Sequence, residues 1–342
     1  MYLCLSLIRY RTAENPYIKQ FPDLMSGKKI MYVHGFGSSA QSGTVSRIRQ
    51  TFPQTEVVAY DLPLHPAEAI ALLREKCQEE QPDLIIGTSM GGMYAEMLYG
   101  FDRILINPAF RIADTMQKHG LTGKQQFFSP RQDGIQEFYV DKSLVKEYRE
   151  VSEQCFSNVT DEERKRVFGL FGDKDPLVHT RDLFQEHYPQ VVCFHGEHRM
   201  DDHSFMHGVV PVIRWIDDRQ EKREREVAYV AFDTLTDSYG KPTSSMRKAI
   251  ELLIERYQVF IVAPAPTANP LYINKVEQWV EQYVSTPAYN RLVFTNRTDL
   301  LYGDYLITPE PDRSFMGTCI EYGSDEFKTW EDIMVFFERL CG

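Results

Sequence analysis

Short β-rich apolar runs alternate with helical stretches twice along this chain, and one charged run, Asp217 to Glu226, separates the two series. Before the break the pattern predicts strands at Lys29–His34, Glu56–Tyr60, Leu84–Gly87, Arg103–Asn107, Arg166–Gly172 and Val191–His195. Helices are expected at Ser42–Thr51, Pro66–Gln81 and Gly91–Tyr99, with a closing helix starting in Val209–Ile216. After the break come strands at Val227–Phe232, Val259–Ala263 and Arg291–Thr295, and helices at Ser244–Tyr257, Leu271–Tyr283 and Trp330–Leu340. Each helix in such a series carries the chain back across a sheet face, so the strands run mostly parallel and the class is α/β. Two units are expected, 28–218 and 227–342, with 1–27 as an N-terminal extension and 219–226 as a solvated linker. The 342 residues agree with that division at about 100–200 residues per domain.

Charge and cysteine usage narrow the functional classes. Lys and Arg number 38 against 49 Asp and Glu, for a net charge of -11. A chain this acidic, with no basic stripe, is a poor partner for a phosphate backbone, so nucleic acid is excluded as the main partner. Cys4, Cys77, Cys155, Cys193, Cys319 and Cys341 are scattered with no C-x-x-C pair. That favours reduced thiols in a cytoplasm over a metal knuckle or a disulfide framework. The opening MYLCLSLIRYRTAENP has neither a basic n-region nor a small-residue cleavage site, and no run is long enough to span a bilayer. Residues 1–27 read as a docked extension or as the product of an early start site, since MSGKKIMYVHGF from Met25 resembles a natural beginning.

The strongest local signal is Gly87-Thr88-Ser89-Met90-Gly91-Gly92, between the apolar strand Leu84–Ile86 and a helix. G-x-S-x-G in this context is a nucleophile elbow, a strand-to-helix turn too sharp for side chains at its flanks, which lifts the serine hydroxyl out of the sheet. A serine hydroxyl is a weak nucleophile and needs a base held by a carboxylate; on this scaffold the order is Ser, acid, His. Gly172-Asp173-Lys174-Asp175-Pro176-Leu177-Val178 places Asp175, rather than Asp173, in the loop after a strand. Gly196-Glu197-His198 follows the last strand and makes His198 the base, because the loop needs no insertion to place it. His203 is the rival; His195 belongs to the strand and His207 to the surface at the start of the closing helix. His34-Gly35-Phe36-Gly37 follows the first strand, so the backbone N–H groups of Phe36 and Met90 are the expected oxyanion donors.

The blocks YVHGFGSSAQSG, GTSMGGMYAEML, INPAF, LTGKQQFF, GDKDPLV and VVCFHGEH resemble the α/β-hydrolase fold over residues 28–218, and within it the YqiA/YcfP-type small esterases. The resemblance implies a three-layer sandwich and acyl transfer to Ser89 and then to water, with Asp175 orienting His198. It also implies a small-molecule acyl ester substrate, thioesters included, with neither cofactor, metal nor membrane. Residues 110–165 would cover the site, and Phe127, Phe128, Phe138 and Tyr139 are either an acyl-pocket lining or ordinary core aromatics.

The second half carries another resemblance. YVAFDTLTD from Tyr229 and GDYLI from Gly303 look like the haloacid-dehalogenase superfamily, and NRLVFTNRTDLLYGDYLI from Asn290 is similar to its 5'-nucleotidase-like branch. That superfamily uses an aspartate nucleophile two residues before a second aspartate, with Mg²⁺ between carboxylates and phosphate. Here Ala231 takes the nucleophile position and Asp233 stands alone. Ala263-Pro264 replaces a phosphate-binding Thr or Ser, and Thr308-Pro309 replaces metal-binding acids. The expectation is a smaller Rossmann-like domain that kept its fold and lost its reaction. Self-association as a homo-oligomer, ligand binding and a lid are the roles left open to it.

Overall fold

The computed structural model describes residues 18–266, 268–284 and 291–340. Cys4, Cys341 and residues 1–17 of the N-terminal extension lie outside them. The strands are β1 Lys29–Val33, β2 Glu56–Ala59, β3 Leu84–Thr88, β4 Arg103–Ile106, β5 Gly123–Gln126, β6 Glu137–Val140, β7 Val167–Gly172, β8 Val191–Phe194, β9 Val227–Ala231, β10 Gln258–Ala263, β11 Leu292–Phe294, β12 Tyr305–Thr308 and β13 Thr318–Glu321.

Six of them form one sheet in the order β2-β1-β3-β4-β7-β8, with every neighbouring pair parallel. Successive side chains leave a strand on opposite faces. Met31, Val33, Ile85, Leu105 and Phe171 accordingly enter the core on one side. Ile30, Tyr32, Ile86, Ile104 and Leu170 enter the core on the other. Both faces are covered by helices, which is why these strands read as continuous apolar runs rather than alternating ones. The result is the three-layer α/β-hydrolase sandwich. Winding reverses at β1, so the loops leaving the carboxyl ends of β1 and β3 part around a crevice, the usual ligand position in an open parallel sheet.

The other large sheet has the order β11-β10-β9-β12-β13, again parallel throughout. Its core gathers Val230, Ile261, Ile307, Ile250, Leu253 and Trp330. The two units touch along the outer strand of the first sheet, where the helix Leu271–Tyr283 packs against β8. That contact shields an edge that would otherwise offer unpaired backbone groups.

Three segments gain detail in the structure. The charged run is not simply solvated. The closing helix continues through it to Glu221, and Asp217 is fully buried. Asp217 takes Lys28 Nζ at 2.7 Å and also pairs with Arg223, while Arg225 forks onto Asp218 at 2.6 and 2.8 Å. Burial of a charge is tolerated only with partners, and the alternation of signs in this segment supplies them locally. The stretch after Phe110 folds into helices Ile112–Lys118 and Lys142–Ser152 around the antiparallel hairpin β5–β6. The described end of the N-terminal extension is docked: Phe21 N–H donates to Thr51 O at 2.7 Å, and Leu24 and Met25 are buried in the core.

Candidate active site

Ser89 sits between β3 and the helix Met90–Glu96 with φ 54° and ψ -119°, a backbone conformation that side-chain-bearing residues seldom adopt. Its surroundings hold it there. Ser89 N–H donates to Ile106 O at 2.9 Å, and Ser89 O accepts from Gly92, Met93 and Ala109. The flanking glycines are required by contact: a Cβ on Gly87 would lie 2.3 Å from Gly91 O, and one on Gly91 would lie 2.1 Å from Val33 O.

Asp175 and His198 follow the two strands at the far side of the sheet. Asp175 follows β7 and is 6% exposed. Its Oδ1 accepts from the N–H groups of Leu177 at 2.8 Å and Val178 at 3.1 Å. Its Oδ2 faces His198 Nδ1 at 2.7 Å, and His198 Nε2 lies 3.0 Å from Ser89 Oγ. With Nδ1–H donating to the carboxylate, Nε2 is left as the acceptor for the serine proton. Burial pushes the Asp175 carboxyl upward, but the hydrogen bond and charge of His198 and the two backbone donors outweigh it, so the pKa lies below the ordinary aspartate value. A folded-state pKa below the unfolded one means that the unfolded chain binds the proton first as pH falls. The stability Asp175 contributes is therefore complete above the normal aspartate range and is lost as pH drops through the lowered value. Thermal unfolding across acidic pH is expected to show this step, and Asp175→Asn to flatten it.

Asn107, which follows β4 between the serine and acid loops, was not singled out as a site residue by sequence. It is 2% exposed and has φ 44°. Its Oδ1 accepts from Gly172 N–H at 2.8 Å, and its Nδ2 donates to Glu197 O at 3.2 Å and His198 O at 3.3 Å. One carboxamide thus ties the start of the acid loop to the backbone of the base. The available signal was a polar residue directly after the apolar run Ile104–Ile106 and directly before a proline.

The histidines nearest His198 in sequence, and His34 beside the glycine loop, are engaged elsewhere. His195 lies just past the end of β8, half-exposed, and pairs with Asp173 at 2.8 Å. His203 lies against His207, with ring centroids 4.2 Å apart, and burial lowers its pKa. His207 does not have the simple surface role expected of it, because it bonds Glu251 of the second unit at 2.8 Å. His34 is buried; Leu62 N–H donates to its Nε2 at 3.2 Å, which leaves Nδ1–H to donate to Gly35 O at 2.9 Å. That tautomer is neutral, and burial lowers the pKa in agreement. It fixes the turn from which Phe36 follows.

Among the described residues, neither the Phe36 nor the Met90 N–H has a hydrogen-bond acceptor. Gly35 brings the first turn onto the elbow: a Cβ there would lie 3.3 Å from Ser89 Cβ. The hairpin forms the roof. Phe138 meets Phe36 edge-on at 5.3 Å and Phe127 at 4.5 Å. Phe128 lies over Gly37 and under the guanidinium of Arg199, 4.6 Å from its ring centre, although the ring is 64% exposed. Tyr139 is exposed and takes no part. The four aromatics therefore divide, with Phe127 and Phe138 packed towards the glycine loop.

The second unit does not offer the metal site its resemblance implies. At the carboxyl end of β9, Ala231 presents a methyl group and Asp233 is exposed. Ala263 ends β10 and Thr308 ends β12. Methyl and hydroxyl groups at these strand ends cannot replace the carboxylates that hold Mg²⁺, so the residues present do not fit the ion.

The family described as "Uncharacterised protein family (UPF0227)" matches residues 29–213. The chain belongs to this family. The match runs from β1 into the closing helix and so includes the elbow, the acid loop and the base. The chain is also 32% identical over 102 residues to the "Putative 5'(3')-deoxyribonucleotidase" of Vibrio phage KVP40, covering 29% of this chain and 60% of that protein. The chain thus spans less than two thirds of that relative's length. Among solved structures, a monoglyceride lipase variant from Saccharomyces cerevisiae is 11% identical, with 59% of this chain and 89% of that one covered at a TM-score of 0.40. Est1E from Butyrivibrio proteoclasticus is 13% identical, with coverages of 59% and 91% and a TM-score of 0.38. Among the described residues of this UPF0227 member, no helix is long and apolar enough to cross a membrane.

Proposed function

We propose that the chain is a serine hydrolase that cleaves short acyl esters through an acyl-enzyme, with Ser89 as nucleophile, His198 as base and Asp175 as its orienting acid. The observation that carries this reading is the continuous relay from Asp175 Oδ2 to His198 Nδ1 at 2.7 Å and from His198 Nε2 to Ser89 Oγ at 3.0 Å. Ser89 Oγ attacks the ester carbonyl while its proton passes to Nε2. The oxyanion forms against the Phe36 and Met90 N–H groups, each worth about 3–4 kcal/mol in such a role. The imidazolium, stabilised by Asp175, returns the proton to the departing alcohol or thiol. Water then repeats the cycle on the acyl-enzyme and frees the acid. Phe36, Phe127 and Phe138 supply the apolar side of the acyl pocket.

A fluorophosphonate probe and p-nitrophenyl butyrate test the reading. Assays of His198→Ala and His203→Ala side by side decide the base. Hydrolysis by His198→Ala is expected to fall by about 10⁴-fold or more, and His203→Ala to keep its activity within a small factor. The reverse order would transfer the base to His203.

The second unit reads as a haloacid-dehalogenase-like domain without its chemistry, supported by the similarity to the phage protein and by Ala231 at the nucleophile position. Free thiols at Cys77, Cys155, Cys193 and Cys319 favour a reducing, cytoplasmic setting.

A further inference from the structure

Between the closing helix Val210–Glu221 and the second unit lies a cavity of about 570 Å³, within the roughly 300–1,000 Å³ range of small-molecule pockets. Six basic side chains line it against two acidic ones, Asp218 and Glu224. This local excess of positive charge stands in a chain whose net charge is -11, with Arg219, Lys222 and Arg223 exposed at its open side.

Part of the basic set is already committed. Arg225 forks onto Asp218, Arg223 pairs with Asp217, and Arg219 reaches Asp102 at 2.7 Å. Three cations form no salt bridge among the described residues, although the charge of Asp218 reaches Arg214 and Arg291. Arg214, 9% exposed, donates only to the backbone Glu255 O at 3.2 Å. Lys222 ends the closing helix with φ 53° and forms no ion pair. Arg291 is 3% exposed and donates to the backbone Val259 O at 3.2 Å, while its Nε–H is buried without an acceptor. Its guanidinium lies over the Trp215 ring, 4.6 Å from the centre.

A buried guanidinium without a counter-ion is costly. Burial and the charge of Arg214 push Arg291 down to about 9, with Asp218 opposing. Arginine keeps its proton through this range, so the charge persists and calls for an anion. Phosphate is the match: guanidinium forks pair with its oxygens in two parallel hydrogen bonds, and an ammonium adds a point charge. Trp215 and Phe260 give the same cavity an apolar wall.

We propose that this junction cavity binds a phosphorylated small molecule, with its phosphate held by Arg214, Lys222 and Arg291 and its remaining part against Trp215 and Phe260. None of its lining residues belongs to the Ser89 site, so its occupancy is measured independently of the proposed hydrolysis. It bridges the two units, and occupancy stabilises their contact.

The test is calorimetric titration of the full chain with inorganic phosphate, pyrophosphate and thymidine monophosphate, alongside thermal unfolding with each. At least one ligand is expected to bind and to raise Tm. Tighter binding of the nucleotide than of inorganic phosphate is the expected result; equal affinity would overturn the role given to Trp215 and Phe260. Lys222→Gln breaks no ion pair, and Arg291→Met removes the unmet charge. Each is expected to weaken binding by about tenfold or more, with butyrate ester hydrolysis unchanged. Absence of binding by all three ligands at millimolar concentration overturns the proposal. So does wild-type affinity in Lys222→Gln, a result that stands even where Arg291→Met does not fold.

Discussion

Ser89→Ala is expected to abolish fluorophosphonate labelling and to lower p-nitrophenyl butyrate hydrolysis by about 10⁶-fold in kcat, the scale on which a triad acts as one unit. The expectation rests on the relay at 3.0 and 2.7 Å, since removal of the hydroxyl leaves His198 and Asp175 with no proton to move. Alanine lacks only one oxygen at a partly buried position, so the fold should persist, and unchanged thermal unfolding separates lost chemistry from lost structure. Some residual hydrolysis remains from the two oxyanion donors and from binding. Wild-type turnover in Ser89→Ala would remove the elbow from the mechanism.

Gly91→Ala should produce the largest loss of stability among small substitutions. The added methyl would stand 2.1 Å from Val33 O and 2.6 Å from His34 O, and both are backbone atoms at the end of a central strand. Neither neighbour can rotate away, so the helix must lift from β1 and carry Ser89 with it. Overpacking of this kind costs about 1–3 kcal/mol and sometimes more. Urea unfolding is expected to show a lower midpoint, and hydrolysis should fall in the protein that remains folded. Gly43→Ala is the control: nothing lies within 4 Å of its Cβ position, and the residue starts a helix. It should be neutral or mildly stabilising. Equal midpoints for the two variants would show that the elbow has room the geometry denies.

Ser89, Asp175 and His198 stand out as candidates in the sequence because each follows a strand. Parallel strands deliver their carboxyl ends to one edge of the sheet, so Ser89 after β3, Asp175 after β7 and His198 after β8 are bound to share that edge. The same logic explains why β1 to β4 were found within a residue or so of their bounds: continuous burial on both faces writes an unbroken apolar run. The segment after Phe110 was not legible in this way. The hairpin β5–β6 has alternating half-buried and exposed residues and derives its order from the roof contacts of Phe127 and Phe138.

Asn107 shows the limit from another side. Its carboxamide matters because the strand order places β4 between β3 and β7, which brings two loops distant in the chain within reach of one amide. The charged run from Asp217 looked like a linker because charge alone reads as solvent exposure; only packing against Lys28 and Arg223 put Asp217 inside. Local order, strand ends and the order of the catalytic candidates follow from residue type and spacing, which act over a few residues. The hydrogen bonds that join His198 to Asp175 and Ser89, the tie through Asn107 and the cationic cavity between the units depend on which distant surfaces meet, and that is a property of packing.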